Sequence, residues 1–242
     1  MPEPTSVGKS LRTPTPREQA RARTVEDIVR LGRRHLAEQG AAALSLRAVA
    51  RDLGVVSSAV YRYVESRDEL LTLLLIDSYN ELGDAVDRAV DKLPEDDFKG
   101  RFLALTQAVR RWAVGEPACY ALLFGSPVPG YQAPGERTTE PGTRVVFRLV
   151  GILDAAYRSD ALRELPRPAL VSGALAGNLA AVREELGVEL PEELMARGVL
   201  LWTSVFGAVS FEVFGQYGPG TFPAQEELFA HQMDTLAGLV GL

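Results

Sequence analysis

The residues best suited to chemistry lie in one short stretch, SSAVYRYVESRDEL, at positions 57–70. Small hydroxyl residues stand at its start, two tyrosines and two arginines follow, and few apolar side chains are available for burial. Hydroxyl, phenol and guanidinium groups donate hydrogen bonds to phosphate oxygens, and arginine also binds the edge of guanine. The stretch therefore predicts a surface that contacts nucleic acid, and the alternative is a solvated face with no binding role.

Two short helices joined by a turn are predicted to position these side chains. The first begins at Ser45 and ends at Gly54, with apolar residues spaced i, i+3, i+4 and i+7 along it. The second is predicted to be capped by Ser57 and to bury only Val60 and Val64. A three- to four-residue turn containing glycine between two short helices is typical of a helix-turn-helix, whose second helix enters the major groove.

Each polar or small residue on the outer side of this unit is assigned a contact with DNA. We expect Arg47, at the second helical position after Ser45, to read a base. Arg67 opens the next helix, where a cation opposes the helix dipole, so its position favours a neighbouring phosphate. The predicted DNA-binding residues are Ser45, Arg47, Ser57, Ser58, Ala59, Tyr61, Arg62, Tyr63 and Arg67.

The distribution of charge agrees with an N-terminal DNA-binding part. The chain of 242 residues has a formal net charge of −6. Residues 1–75 nevertheless carry 12 basic and 9 acidic residues, and the remainder carries 14 basic and 23 acidic ones. This asymmetry indicates a basic part that meets phosphate and a larger acidic body with another task.

The rest of the composition argues against several other classes of protein. Cys119 is the single cysteine and cannot form an intramolecular disulfide, which fits a reducing compartment. With only His35 and His231 beside it, we expect no zinc site, no other cofactor and no catalytic residue. We also expect no signal peptide and no apolar run long enough to span a membrane, and hence a cytoplasmic protein.

The N-terminal segment, residues 1–22, is rich in proline, threonine and serine and is predicted to be a disordered basic arm. A first helix is predicted to begin at Val25 and to end at Gly40. The arm is either a mobile terminus without a role or an additional contact to DNA phosphates. In the second case its contacts would be Lys9, Arg12, Arg17, Arg21 and Arg23.

The segment LSLRAVARDLGVVSSAVYRYVESRDELL resembles the DNA-binding module of the tetracycline-repressor (TetR) family of bacterial transcriptional regulators. The resemblance covers about residues 23–75, with Val64, Tyr63 and Arg67 at positions where an aromatic, a histidine and a lysine are commoner. It implies an all-α fold. The expected organisation is a three-helix DNA-binding domain at 23–75 and a larger helical ligand-binding and dimerisation domain at 76–242.

The C-terminal part resembles one branch of these regulators, which carries a Trp-x-x-x-His-Gly signature. The corresponding stretch here is WTSVFGAVSFEVFGQY, with Phe206 in place of the histidine. The family pairs subunits through the last two helices, which are predicted here at about 191–217 and 223–240. A homodimer is also expected physically, because one recognition module reads only half of a palindromic operator in double-stranded DNA.

The resemblance further implies that a small, largely apolar effector binds among the central helices and weakens DNA binding, and that the protein represses transcription. The candidate effector-binding residues are Trp112, Tyr120, Phe124, Tyr131, Phe147, Tyr157 and Asn178. Ordinary core packing is the alternative explanation for each aromatic side chain among them. A helical scaffold that has lost DNA binding is the rival to the whole interpretation, and a steep salt dependence of DNA binding would separate the two.

Overall fold

The computed structural model describes residues 15–163 and 171–242, and every regular element in these two ranges is helical. This confirms the predicted all-α fold class. A single 3-10 turn, Ala41–Ala43, follows the first helix in the described ranges. The helices are α1 (Pro16–Gln39), α2 (Leu46–Asp52), α3 (Ser57–Tyr61), α4 (Arg67–Val90), α5 (Phe98–Gly115), α6 (Pro117–Phe124), α7 (Gly135–Arg158), α8 (Gly173–Leu186), α9 (Glu192–Val213) and α10 (Gln225–Leu239).

Helix α1 begins at Pro16, so the prediction of a disordered arm reaching residue 22, with a helix starting at Val25, was wrong. Thr15 and Glu18 form a capping box, in which the Glu18 N–H donates to the Thr15 hydroxyl at 3.3 Å and the Thr15 N–H donates to the Glu18 carboxylate at 2.7 Å. Proline at the first helical position lacks the N–H that would be unpaired there. The helix was missed because its first turns are polar on every side. Residues 1–14 of the predicted arm, with Lys9 and Arg12, lie outside the described residues.

The N-terminal helices enclose a small core of their own. Its buried side chains come from α1, α2, α3 and the first two turns of α4, and include Ile28, Val49 and Leu70, each fully buried. Gly54 stands in the turn between α2 and α3 with φ +71, a left-handed conformation that glycine adopts without strain. The docking of α3 on this core fixes which of its side chains face outward.

A larger core lies in the body, among α4–α7, α9 and α10. Helix α4 contributes to both cores, because Leu70, Leu71 and Leu74 pack on the N-terminal helices while Leu82 and Val86 pack in the body. One helix thus links the N-terminal module to the body, and a tilt of α4 would move side chains in both cores.

A short loop separates α6 from α7. Residues 125–134 form this loop, and α7 begins at Gly135 and contains Pro141 within it.

Much of the apolar surface of helix α9 is not buried by the other helices that the structure describes. Within the described residues it is the one helix long and apolar enough to cross a membrane by length and composition, and only 28% of its most apolar window is buried. The expectation that no apolar run reaches this length was therefore wrong. Helices that pack on protein partners share this property, and Val199, Leu200 and Phe211 are each about half exposed. Leu239 of α10 is 44% exposed as well, so both of the last two helices expose large apolar side chains.

Candidate nucleic-acid interface

The recognition helix α3 is anchored by very little apolar surface. Val60 and, just beyond the helix, Val64 are 2% and 0% exposed, and both belong to the N-terminal core. Ser58, Tyr61 and Arg62 are exposed, whereas Ala59 is half-buried. A helix held in this way offers most of its surface to another molecule.

The hydroxyl groups at the two helix starts are not used for capping. Ser45 occupies the predicted cap position of α2, but its side chain accepts no capping hydrogen bond. The prediction that Ser57 caps α3 was wrong, because the extended residue Val56 takes that position and Ser57 is the first helical residue. The backbone N–H groups of the first turn of a helix have no partner inside it, so Ser57 and Ser58 present donors to an incoming phosphate.

Two arginines on this side have no acidic partner among the residues that the structure describes. Arg47 is exposed on α2, and Arg62 is exposed directly after α3. Neither guanidinium forms an ion pair with any residue in the described ranges. Tyr61 stands beside Arg62 with 42% of its surface exposed. These groups match the donors that bind DNA phosphates and guanine edges.

Tyr63 is half-buried and packs on the N-terminal core. The Arg21 guanidinium lies over its ring, 5.4 Å from the centroid, and donates a hydrogen bond to the Arg62 carbonyl at 3.3 Å. Arg21 was predicted to lie in a disordered arm, either without a role or in contact with DNA phosphates, and its contact with the end of α3 was not predicted. The signal that was missed is the capping motif TPRE at 15–18, which makes α1 long enough to reach α3.

Arg67 has a structural explanation that the sequence analysis did not foresee. Its guanidinium donates to the carbonyls of Ala41 and Ala42 at 3.1 and 3.2 Å, and lies 3.7 Å from the Asp68 carboxylate. Arg67 thus ties the start of α4 to the 3-10 turn that follows α1, where the Ala41 carbonyl also accepts the Leu44 N–H at 3.4 Å. A phosphate contact is not needed to account for its position.

Asp52 at the end of α2 clips this helix to α1. Its carboxylate lies 2.8 Å from the Nε2 atom of buried His35 and 2.8 Å from the Arg34 guanidinium. These hydrogen bonds, that of His35 first and that of Arg34 second, hold the pKa of Asp52 below its ordinary value. The clip fixes α2, and with it the direction in which Arg47 points.

The candidate effector-binding residues are dispersed over the body. Tyr120 and Phe124 on α6 are in ring contact at 5.1 Å, and Phe124 continues to Phe206 at 4.5 Å and from there to Trp202 at 4.3 Å. We call Tyr120, Phe124, Trp202 and Phe206 the aromatic cluster. The phenol of Tyr120 also reaches the Ser210 hydroxyl at 2.8 Å.

The other candidates lie elsewhere. Trp112 is buried in the body core, and Tyr131 instead packs against the N-terminal core with its hydroxyl 2.9 Å from that of Thr72. Phe147 and Tyr157 on α7 are 47% and 39% exposed, and Asn178 on α8 is exposed. The structure therefore does not bring these last three together with the aromatic cluster, since a residue type does not reveal which side of its helix is turned inward.

Comparison with known proteins agrees with this architecture. Residues 28–74 match the family of bacterial regulatory proteins of the TetR type, and residues 102–236 match a tetracycline-repressor-like C-terminal domain. HTH-type transcriptional regulators of Mycobacterium bovis and Mycobacterium tuberculosis are 47% identical over 223 residues, which cover 88% of this chain and 93% of theirs.

Solved structures give the same result. A crystal structure of the regulatory protein SCO4313 has a TM-score of 0.75 and 31% identity, covering 93% of this chain and all of that one. The regulator PfmR of Thermus thermophilus, at 16% identity and a TM-score of 0.56, covers 89% of this chain and 98% of its own, and shows the shared fold.

Proposed function

Because the chain belongs to the TetR family of bacterial transcriptional regulators, and is a helix-turn-helix regulator and not an enzyme, we propose that it binds a palindromic operator as a homodimer. We further propose that it acts in the cytoplasm as a repressor and is released from DNA by a small, largely apolar effector. The observation that carries this proposal is that Arg47 on α2 and Arg62 after α3 are exposed and form no ion pair within residues 15–163 and 171–242. The recognition helix beside them is anchored by Val60 and Val64.

Within the operator, Arg47 reads a base edge in the major groove, and the start of α3 approaches the DNA with Ser57, Ser58 and half-buried Ala59. Tyr61 and Arg62 bind phosphates, which fixes the register of the helix on the duplex. Tyr63 and Arg67 act mainly by holding α3 and α4 in place, since their polar or aromatic groups already have partners in the protein.

The dimer forms through α9 and α10. Between these helices lies a groove of about 460 Å³, lined by Gly207, Ala208 and Phe211 on one side and Met233 and Leu236 on the other. Small residues let a partner helix approach closely. Such a partner would also shield the exposed apolar side chains of α9 and α10 from water. A twofold pair made in this way would carry its two recognition helices about 34 to 36 Å apart, or a multiple of that, to suit half-sites on one face of DNA.

The effector binds in the body core, to which Trp112 and the aromatic cluster both belong. Trp112 is 8% exposed, and its indole N–H has no hydrogen-bond acceptor among the described residues. A buried donor without a partner is uncommon in proteins, and an oxygen of a bound effector would satisfy it. An effector bound there would alter the packing of α4, which contributes side chains to both the body core and the N-terminal core. By linkage, DNA would weaken effector binding by the same factor by which the effector weakens DNA binding.

The function is tested by selecting bound sequences from random duplexes with the parent protein and with Arg47→Ala. We expect the parent to enrich a palindrome. The variant should lose about 1 to 3 kcal/mol on that operator and lose preference at one base pair per half-site. Arg88→Ala removes the same charge from an exposed position on α4 and serves as the control. If Arg47→Ala bound as the parent does, with the same preference, the placement of α2 over the groove would be wrong.

The effector part of the proposal has its own test. Trp112→Phe removes the unpaired N–H and leaves an aromatic ring in the core. Small apolar compounds with one oxygen acceptor are screened for those that raise the melting temperature and release the operator from the parent protein. We expect Trp112→Phe to need more of such a compound for release while binding the operator normally. Equal sensitivity of parent and variant would rule out this hydrogen bond.

A further inference from the structure

The first turns of α1 lie beside the end of the recognition helix. The matched TetR-type module begins at residue 28, whereas α1 begins at Pro16. Twelve residues of helix, about 18 Å at 1.5 Å per residue, thus extend beyond the matched module. This extension packs against the end of the recognition helix, because the Arg21 guanidinium donates a hydrogen bond to the Arg62 carbonyl and lies over the Tyr63 ring.

The contact creates a cleft of about 550 Å³ between the start of α1 and the end of the recognition helix. Its lining includes Thr15, Arg17, Glu18, Arg21, Arg62 and Tyr63. Arg17 and Arg21 are four residues apart, so they share one face of α1 and point to the same side. With Arg62 they place three guanidinium groups around one cleft.

Glu18, the acidic residue that lines this cleft, forms no ion pair with its three arginines among the described residues. The Glu18 carboxylate accepts the Thr15 N–H at 2.7 Å as part of the capping box. A positive side chain in the first turn of a helix opposes the helix dipole, so Arg17 is placed at a cost to the stability of α1. An anion bound in the cleft would remove that cost.

We propose that Arg17, Arg21 and Arg62 form a phosphate clamp that grips the DNA backbone next to the half-site, an inference that rests on the proposed DNA binding. The clamp borders the end of the recognition helix, since Arg62 is the residue that directly follows α3. Its ligand is a backbone phosphate of duplex DNA. Such contacts carry no information on base sequence, so the clamp raises affinity for every duplex and makes binding more sensitive to salt.

The chain provides a matched control for the clamp. Arg23 is exposed on the same extension and has the same charge, but it is two residues beyond Arg21, about 200° around the helix, and does not line the cleft. Loss of Arg23 therefore changes the charge of the extension without changing the cleft.

The test measures the affinity of the full chain for its selected operator, and for an unrelated duplex, at several salt concentrations. For Arg17→Ala we expect the slope of log affinity against log salt to fall in magnitude by about 0.9, the value for one phosphate contact, on both duplexes. Base preference should stay unchanged, and the melting temperature should not fall, because Arg17 opposes the dipole of α1. Arg17→Lys should retain the slope, and Arg23→Ala should match the parent.

Equal slopes for Arg17→Ala and the parent would overturn the clamp while leaving the proposed function intact. Equal losses for Arg17→Ala and Arg23→Ala would also overturn it, because a diffuse charge effect needs no cleft. If the parent protein bound no duplex at low salt, the clamp and the proposed function would both be wrong.

Discussion

The pair formed by Arg110 and Glu212 is the internal contact whose loss we expect to be most damaging to the body. The Arg110 guanidinium on α5 donates two hydrogen bonds of 2.7 Å to the two oxygens of Glu212 on α9. The two side chains are 10% and 9% exposed, so water screens the pair little. Arg110 also lies over the ring of Phe229 on α10, 5.8 Å from its centroid. One guanidinium therefore positions both helices of the proposed dimer interface.

Arg110→Leu leaves the Glu212 carboxylate buried without its partner, and removal of one member of a buried pair costs about 3 to 5 kcal/mol. Because whole domains are stable by about 5 to 15 kcal/mol, this is a large part of the total. Restoring neutrality with Glu212→Leu in the same chain should recover part of the loss, so the double variant should be more stable than the sum of the two single changes predicts.

The assay is urea unfolding at one fixed protein concentration, since dimerisation makes apparent stability depend on concentration. The exposed pair Lys99 and Asp234, at 2.7 Å between α5 and α10, is the control. Loss of Lys99 should leave the unfolding midpoint nearly unchanged, because exposed pairs are screened. A loss below about 1 kcal/mol for Arg110→Leu would refute the reasoning from burial.

Three further predictions concern single positions. Since the pKa of Asp52 is lowered in the folded protein, its contribution to stability is complete above the unfolded pKa, near 4, and is lost as pH falls through the lower folded value. Asp52→Asn should remove this part of the acid sensitivity in urea titrations at several pH values, and an unchanged pH profile would contradict it. Burial raises the pKa of the Cys119 thiol, which is 2% exposed, so a thiol reagent at pH 7 should modify it only after unfolding, and rapid reaction of the native protein would contradict this. Gly54→Ala should lower the free energy of unfolding by about 1 to 2 kcal/mol in thermal unfolding, because a residue with a side chain is strained at φ +71 even though no atom lies within 4 Å of the added Cβ. Gly54→Asn should lose less stability in the same measurement.

The helix-turn-helix was predictable because its evidence is local. A short apolar stripe, a glycine in the turn and hydroxyl residues at the helix starts lie within thirty residues or so, and Val60 and Val64 proved to be the anchors of α3. The cap of α3 was misplaced by one residue, since Ser57 has the usual residue type for a cap while Val56 has the extended backbone.

Long-range partners could not be predicted in the same way. The role of Arg67 depends on carbonyls 25 and 26 residues earlier in the chain, and that of Arg21 on a carbonyl 41 residues later. The start of α1 was missed because a helix that is polar all round has no hydrophobic period to detect. The exposure of Phe147 and Tyr157 shows the same limit, because a residue type does not reveal which side of a helix is inward.

The central claim is that two copies of this chain read a palindrome. The direct measurement is the stoichiometry and affinity of the complex with the selected operator, compared with a duplex in which one half-site is scrambled. We predict two protomers on the intact operator and a large loss of affinity when either half-site is destroyed. One protomer bound with equal affinity to both duplexes would contradict the claim.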